Sequence, residues 1–551
     1  MNLTRWQVQR VASWVGAMLV LLLLAIMVLP SHRTATGERE FLADEAYRNL
    51  VVAQTLRQSS TYGIHADHPI PMFHDTLWRG LLAASHWLFD DLRVGVNAWG
   101  LVLTIITLSL LMRLSRLVFP FPLFVYFVGG LFILRPGTIA GALSGLATPL
   151  ALCLVTAAVV FHLERLAVTG RGLPVRSAVC IGLAAWLRLE WIVVWLALWL
   201  HVFIVAWIPA PQQPRAGASF FRGLNGLLLI ALLLLPLFAY NASHLQSIWA
   251  GQWIPWLRLP GIPMAADAWA TLGAATALAE TVTHIQAGWR LGFAAMGNLL
   301  FGQGLFIALF FTIGYVLLLI QGIRSREDRG HLFFVLWPWS VPFFFGLLYP
   351  YVGVDGLEML IQSVAPVLTL VVAFGAVRMP FVFASSFSKR WPAYTSDQMF
   401  RYWWTGAGAI LVLALMVGQW QQTRGYRAAL NTRMDERQTL TQAIEENGLM
   451  RDRFVTDEPG WLVWRHRARV MDLQGEWTPQ LIEALDATGA FEPDALERVA
   501  FRMQPPPTAV VLWRLGPEWG GILQEPEWLT HLDTDPLPRP LIAIGEPPSE
   551  L

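Results

Sequence analysis

Apolar segments long enough to cross a lipid bilayer recur along the first 420 residues, and they constrain the fold more than any other feature. The bilayer core holds no water, so a spanning segment must pair its own backbone groups, which a helix does. Only 14% of the residues are charged, below the roughly one quarter typical of soluble proteins. The sequence therefore predicts a polytopic α-helical membrane protein with about 11 spans. They are expected at 11–29, 94–112, 117–134, 137–161, 177–188, 190–208, 223–240, 291–320, 332–348, 359–377 and 402–420.

Basic residues indicate the side on which each loop lies, because short cytoplasmic loops collect Arg and Lys. Arg5 and Arg10 precede the first apolar segment, which is long for a signal peptide, so we expect a retained span and a cytoplasmic N-terminus. The later basic loops then share that side, with Arg113 and Arg116; Arg165, Arg171 and Arg176; Arg215 and Arg222; Arg324, Arg326 and Arg329; and Arg378, Lys389 and Arg390. Loops 30–93, 241–290 and 349–358, and everything after 420, are expected to face outward from an inner (plasma) membrane.

Several functional classes lose support from the sequence. A net charge of +1 argues against nucleic acid as a partner. Cys153 and Cys180 both lie in apolar segments and form neither a disulfide framework nor a metal cluster. The chain has no Walker loop, dinucleotide fingerprint or G-x-S-x-G elbow, which argues against ATP-driven transport and hydrolase chemistry.

The apolar stretch 177–208 is too long for one span and is interrupted by Arg188-Leu189-Glu190. If two helices meet there, the first one short, the later basic loops lie on the same side of the membrane as the N-terminus. Charges at this depth are costly unless they are paired or face a water-filled cavity. Arg188 and Glu190 either form an ion pair that pins the turn, or Arg188 points at an anionic ligand.

Adjacent carboxylates open a predicted amphipathic helix early in the first outer loop. Ala46, Leu50, Ala53 and Leu56 recur at helical spacing after Asp44 and Glu45. Asp44 stands where a helix N-cap would stand, and Glu45 suits the positive end of the helix dipole. Alternatively, a carboxylate held beside the membrane serves as a general base. The two interpretations are compatible.

The rest of the first outer loop predicts a second surface helix, from Asp75 to about Phe89, with Asp75 as a possible cap. Its apolar face would carry Leu77, Leu81, Ala84 and Leu88. Between the helices lie polar residues that could bind a divalent ion: His65, Asp67, His68, His74 and Asp75. The alternative is a solvated polar loop, since no spacing here matches a known metal site.

Two further outward loops carry candidate residues. Loop 241–290 is rich in tryptophan, at Trp249, Trp253, Trp256, Trp269 and Trp289, which suits either a lid over a lipid substrate or anchoring in the membrane interface. Loop 349–358 carries Asp355 and Glu358 at the mouth of a span. These acids either contact a ligand or belong to a plain turn that starts a helix.

Composition changes after the last span, and residues 421–551 are polar enough for a small α/β domain outside the membrane. The pattern predicts helices at 426–447, 478–488 and 493–503 and strands near 453–457, 468–472 and 508–515. The Pro-rich tail from Asp535 is expected to be loosely ordered. The preceding residues, 1–420, form the predicted transmembrane domain.

Several short motifs follow one another along the chain. Asp44-Glu45-Ala46-Tyr47, Tyr62-Gly63, Thr76-Leu77-Trp78, Ser144 to Leu150, Arg188-Leu189-Glu190, and Gly353 to Pro366 occur in that order. In order and sidedness they resemble the C-type (GT-C) glycosyltransferases, which include protein O-mannosyltransferases, lipid A aminoarabinose transferases and mycobacterial arabinofuranosyltransferases. Ala147 stands where that family has an acid, and the family's prolines before Leu77 and at Leu189 are replaced.

The resemblance implies transfer of a sugar from a polyprenyl-phosphate donor to a lipid, glycan or protein acceptor on the outer face of the membrane. It implies that Asp44 is the base, that Glu45 assists it or binds a metal, and that Arg188 contacts the donor phosphate. The residues expected to contact substrate are Tyr47, Glu190, Asp355 and Glu358. Asp44 and Arg188 should then share one outward cavity; metal dependence stays open.

Two other functions fit parts of the pattern. A flippase or transporter for a lipid-linked saccharide would show related halves and Gly/Pro-broken spans, and no convincing pair is present. A polysaccharide polymerase or ligase uses the same kind of donor, and would be favoured by a long outer loop late in the chain.

Overall fold

A computed structural model describes most of the helical part of the chain and a smaller share of its C-terminal part. The described residues are 40–65, 68–72, 74–119, 122–135, 137–169, 172–207, 216–245, 274–301, 305–324, 330–352, 360, 364–379, 396–446, 453–456, 459–472, 509–511, 529–531 and 541–544. The predicted first span, 11–29, therefore lies outside them.

Helices dominate the described residues. They are α1 Asp44–Ser59, α2 Thr76–Ala84, α3 Leu92–Val118, α4 Pro122–Leu134, α5 Thr138–Leu143, α6 Thr148–Thr169, α7 Val175–Ala185, α8 Ile192–Trp207, α9 Ala216–Leu245, α10 Ala274–Phe301, α11 Leu305–Arg324, α12 His331–Val352, α13 Val364–Met379, α14 Ser396–Glu446 and α15 Pro459–His466. Short 3-10 helices cover Ser85–Trp87 and Leu189–Trp191.

Part of this set fits the predicted membrane-spanning character in length and composition. Among the described residues, four helical stretches are long and apolar enough to cross a bilayer: Leu92–Val118, Thr148–Thr169, Leu189–Trp207 and Ala218–His244. Shorter apolar helices include α4, α7 and α13. The total of 11 spans and their sidedness stay predictions.

Some predicted span boundaries are wrong, for identifiable reasons. Segment 137–161 is two helices, α5 and α6, because the backbone between them takes a left-handed turn at Gly145, with φ +85°. Segment 291–320 overlaps both α10 and α11, and residues 302–304 between these helices lie outside the described residues. Conversely, the predicted span 402–420 and the predicted helix 426–447 belong to one helix, α14, which contains no proline.

The predicted break in 177–208 is confirmed. Helix α7 ends at Ala185 and α8 begins at Ile192, with the 3-10 helix Leu189–Trp191 just before it. Arg188 itself has extended backbone, with φ −157° and ψ 137°. Arg188 therefore lies on extended backbone between the two helices, and Glu190 lies in the 3-10 helix.

Both predicted helices of the first outer loop are present, but their burial differs from the expectation. Helix α1 is buried on every side from Ala46 to Ala53, because α15 packs on the side that would otherwise face water. Helix α2 turns Trp78, Arg79 and Leu82 inward and leaves the predicted apolar face partly exposed. Leu88 and Trp87 beyond it are 51% and 80% exposed.

Strands are few and short. β1 Gly63–His65 and β2 His68–Pro69 form an antiparallel pair after α1. β3 Arg453–Thr456, β4 Arg469–Asp472, β5 Ala509–Val511, β6 Leu529–His531 and β7 Leu541–Ile544 form a five-stranded sheet in the order β4-β3-β5-β7-β6.

This sheet is mixed. β3 pairs in parallel with β4 and β5, while β7 pairs antiparallel with β5 and β6. β3, β4 and β5 lie where strands were predicted. β7 was not predicted, since the Pro-rich tail that contains it was expected to be loosely ordered. The predicted helices 478–488 and 493–503 lie outside the described residues.

Gly145 is where a side chain would disturb the packing of the first outer loop on α5 and α6. A Cβ there would lie 2.5 Å from Ala46 Cβ and 3.0 Å from the Phe41 ring. A left-handed conformation costs a non-glycine residue about 1–2 kcal/mol. We expect Gly145→Ala to lower the melting temperature of the detergent-purified protein.

Gly141→Ala is the matched control, because Gly141 lies in α5 and a Cβ there meets no atom within 4 Å. We expect it to leave stability unchanged or to raise it by up to about 1 kcal/mol. Equal melting temperatures for the two variants would contradict the role given to Gly145.

Candidate active site

The acid that opens α1 meets the arginine of the helix break. Glu45 Oε1 lies 3.7 Å from Arg188 Nη2. The Arg188 side chain is 9% exposed and that of Glu45 31% exposed, so the pair lies at the edge of the buried region. Residues 143 positions apart in the sequence thus form one ion pair.

Backbone hydrogen bonds dock the first outer loop onto the same break. The Asp75 N–H donates to the Leu187 carbonyl at 2.8 Å, and the Thr76 N–H donates to the Trp186 carbonyl at 3.1 Å. These carbonyls follow the end of α7, where no further helical turn supplies donors. Asp75 takes a left-handed conformation there, with φ 51°, which is uncommon for a non-glycine residue.

A buried hydrogen-bond chain extends from Asp75 into the first outer loop. Asn49 Nδ2 donates to Asp75 Oδ2 at 2.9 Å, and Arg79 Nε donates to Asn49 Oδ1 at 2.8 Å. Arg79 Nη1 donates to the Tyr62 hydroxyl at 3.2 Å, and that hydroxyl in turn lies 3.1 Å from Thr76 Oγ1. The chain holds the Asp75 carboxyl in a fixed position.

The Asp75 carboxyl has an unusual protonation equilibrium. Burial, with the nearby negative charge of Glu45, raises its pKa to about 7, although Arg79, Arg188 and the Asn49 hydrogen bond act in the opposite direction. Its second oxygen, Oδ1, has no hydrogen-bond partner within the described part of the chain. Strain, burial and a raised pKa together are typical of functional sites.

Asp44 turns away from this cluster. Its Oδ1 accepts the Trp461 N–H at 2.8 Å, and its Oδ2 accepts the Gly460 N–H at 3.0 Å and Arg48 Nε at 3.0 Å. The expectation that Asp44 caps its own helix is wrong: Ala43 is the N-cap of α1, and it makes no side-chain cap hydrogen bond. Asp44 instead binds the first turn of α15, a helix more than 400 residues further along the chain.

Tyr47 lies in a second buried cluster, where the first outer loop contacts α14 and α15. Its hydroxyl donates to Glu40 Oε2 and accepts the Phe41 N–H at 2.9 Å. Arg437 of α14 lies over the Tyr47 ring at 4.9 Å and over the Trp461 ring at 5.6 Å. Burial raises the pKa of Tyr47 well above its usual value. The Tyr47 side chain is fully buried. Its contact with substrate stays a prediction.

A further motif borders the site. Trp78 Nε1 donates to the Gly145 carbonyl at 3.2 Å, and Ala147 is fully buried two residues later. The motifs that start at Asp44, Thr76, Ser144 and Arg188 are therefore close in space.

The remaining predicted residues are placed only in part. Glu190 is buried in the 3-10 helix Leu189–Trp191, and its pairing with Arg188 stays a prediction. Asp355, Glu358 and Asp67, like the side chain of His68, lie outside the described residues. Among the residues that are described, His65 included, no group of three or more His, Cys, Asp or Glu could hold a metal ion.

Sequence reasoning missed Asn49 and Arg79, named Tyr62 only within a motif, and treated Asp75 only as a cap and a possible metal ligand. One signal was available. Glu45 and Asn49 are four residues apart on α1, and Asp75 and Arg79 are four apart at the start of α2, so each pair shares a helix face. When two helices of one loop each carry a polar face, those two faces are expected to pack against each other.

Comparisons with known proteins bear on the fold. The chain matches no protein-family profile and no curated protein. Among solved structures it is similar to ArnT from Cupriavidus metallidurans bound to undecaprenyl phosphate, at 12% identity and TM-score 0.55, covering 96% of this chain and 97% of ArnT. It is also similar to the archaeal oligosaccharyltransferase AglB from Archaeoglobus fulgidus in complex with an inhibitory peptide and a dolichol-phosphate, at 11% identity and TM-score 0.50, covering 90% of this chain and 69% of AglB.

The chain has the fold of the GT-C glycosyltransferases. The resemblance read from the short motifs is thereby confirmed at the level of fold. At 11–12% identity the likeness shows fold alone.

Asp44→Asn should weaken the attachment of α15. The amide keeps one acceptor oxygen for two backbone N–H groups and loses the charge that strengthens both bonds. We expect a loss of about 1–3 kcal/mol in the free energy of unfolding, read as a lower melting temperature in detergent. Glu45→Gln removes the same charge one residue later without touching α15, and it should destabilise less. A larger effect of Glu45→Gln would contradict this role of Asp44.

Asp75 should make stability depend on pH. Its pKa is higher in the folded state than the ordinary value of 3.8, so the folded protein binds a proton more tightly than the unfolded chain. Its contribution to stability is complete below pH 3.8 and is lost as the pH rises through about 7. Asp75→Asn should remove this dependence on pH. As the pH rises from 3.8 to about 7, the melting temperature of the wild type should fall relative to that of the variant. If the melting temperatures of wild type and variant change with pH in the same way across that range, the raised pKa is refuted.

Proposed function

We propose that the protein is a membrane glycosyltransferase that moves a sugar from a polyprenyl-phosphate donor to an acceptor on the outer face of the membrane. The observation that carries the proposal is the Glu45–Arg188 pair, which joins a carboxylate to a guanidinium group at a break between apolar helices. Such a charge at this depth is costly unless it serves a ligand or a partner.

Arg188 is the proposed contact for the donor phosphate, because the fork of a guanidinium group matches phosphate oxygens. Protonation of Asp75 favours this role. With Asp75 neutral, the cluster of Glu45, Asp75, Arg79 and Arg188 carries two positive charges and one negative charge. A lipid phosphate would then meet a net positive surface at the end of its apolar tail.

Either of two carboxylates can act as the base. The resemblance favours Asp44, whereas the contacts favour Glu45, since both oxygens of Asp44 already accept hydrogen bonds and Glu45 is more exposed. The base removes the proton of the acceptor hydroxyl as its oxygen forms a bond to the anomeric carbon. The bond from that carbon to the phosphate oxygen breaks, and polyprenyl phosphate leaves with its charge stabilised by Arg188.

The remaining assignments belong to the same proposal. Glu190, Tyr47, Asp355 and Glu358 are proposed substrate contacts. Residues 421–551 are proposed to form an outward α/β domain, although the division at 420 falls within α14. Solved neighbours that carry dolichol-phosphate or undecaprenyl phosphate support a polyprenyl-phosphate partner here. The same likeness of fold favours a transferase over a flippase.

The test is a transfer assay in membranes with a panel of radiolabelled polyprenyl-phosphate sugars. We expect Arg188→Gln to lower the rate by about 10²–10³-fold through lost stabilisation of the leaving phosphate. Arg188→Lys, which keeps the charge without the fork, should fall between wild type and Arg188→Gln. Arg57→Gln, at the far end of α1, is the control and should keep the wild-type rate.

Asp44→Asn and Glu45→Gln separate the two candidates for the base. The true base should lose about 10²–10⁴-fold in rate, measured below the melting temperature of each variant. Asp90→Asn removes the same charge from an exposed position and should be silent. No transfer from any donor, or a wild-type rate in both Arg188→Gln and the Asp44→Asn/Glu45→Gln double variant, would exclude this function.

A further inference from the structure

A cavity of about 610 Å³ lies at the other end of the helices that border the candidate site. It is lined by the last turns of α6, residues 172–174, the first turn of α7 and Arg222 of α9. Helix α6 begins at Thr148, close to the site, and its 22 residues span about 33 Å, with its last turns, from Phe161 onward, lining the cavity. That distance matches the apolar thickness of a bilayer, so the cavity lies at the opposite membrane face.

The cavity is positively charged. Its lining residues include Arg165, Arg176 and Arg222 and a single acid, Glu164. Arg113 of α3 binds Glu164, with Nη2 donating to Oε2 at 2.7 Å. The carboxylate is thus neutralised from outside the cavity, and the lining arginines favour an anion.

The wall is held in place by the surrounding helices. The Leu173 N–H donates to His162 Nδ1 at 3.1 Å, and Ser177 Oγ donates to the Ala158 carbonyl at 2.8 Å. Arg176 lies over the Phe161 ring at 6.0 Å. A binding site built on fixed backbone loses less entropy when a ligand arrives.

Apolar side chains line the rim beside these charges. Val168 and Val175 are 83% and 70% exposed, and Phe161, Leu173 and Pro174 line the same cavity. Exposed apolar surface next to clustered arginines at a membrane face matches an amphiphile with an anionic head group.

We propose that this cavity binds the phosphate head group of an anionic phospholipid in the leaflet opposite the candidate active site. Arg165, Arg176 and Arg222 bind the phosphate oxygens, and the acyl chains lie against Val168 and Val175. The proposal is independent of the glycosyltransferase function, since the two sites lie at opposite ends of α6.

The experiment is native mass spectrometry of the full chain in detergent, titrated with phosphatidylglycerol or with phosphatidylcholine of the same acyl chains. We expect phosphatidylglycerol to bind more tightly than phosphatidylcholine. The double variant Arg165→Gln/Arg176→Gln should bind phosphatidylglycerol roughly tenfold or more weakly. Arg116→Gln/Arg427→Gln removes the same charge outside the cavity and should bind as wild type does.

Two further measurements keep the proposal falsifiable. Val168→Glu places a negative charge on a largely exposed rim position, so it should weaken phosphatidylglycerol binding without lowering the melting temperature. Inorganic phosphate at equal concentration should not displace the lipid, because it lacks the acyl chains. Equal binding of the two lipids, equal binding by the two double variants, or displacement by phosphate would each overturn the proposal.

Discussion

The structure depends on how the chain pairs its backbone at the break between α7 and α8. Where α7 ends, carbonyl groups lose their helical donors in a region where water is scarce. The first outer loop supplies the donors, with Asp75 and Thr76 bonded to Leu187 and Trp186. This pairing holds Asp75 in a left-handed conformation and buries its carboxyl. The unusual acid of the site is therefore a consequence of a helix interruption on another part of the chain.

The same loop is held from its other side by the C-terminal part of the chain. Asp44 binds the first turn of α15, and Arg437 of α14 donates to the Phe41 carbonyl while it covers the Tyr47 ring. Helix α1 is thus packed between the helix break at Arg188 on one side and α14 and α15 on the other. Adjacent carboxylates consequently have different surroundings, since Asp44 is committed to α15 and Glu45 faces Arg188.

Local features of the sequence were sufficient to predict the break at Arg188 and the two helices of the first outer loop, because charges and helical periodicity are encoded nearby. The sequence could not show which acid faces Arg188, since neighbouring residues on a helix point about 100° apart and tertiary contacts decide the direction. Nor could it show that Asp75 is buried, because its partners Asn49 and Leu187 come from other elements. The amphipathic expectation for α1 was wrong because α15, far along the chain, covers its polar side.

The same charge chemistry at the two ends of α6 leads to different capabilities. Both ends present arginines that suit a phosphate group, but only the candidate site places acids among them that are not neutralised from outside. Glu45 there lies 3.7 Å from Arg188, whereas Glu164 at the opposite end accepts hydrogen bonds on both oxygens from Arg113. Removal of a proton requires a carboxylate that a hydroxyl can reach, so the proposed transfer chemistry is assigned to the first end. At the second end, the described lining residues offer arginines for the proposed phosphate, and their single carboxylate, Glu164, is already bound by Arg113.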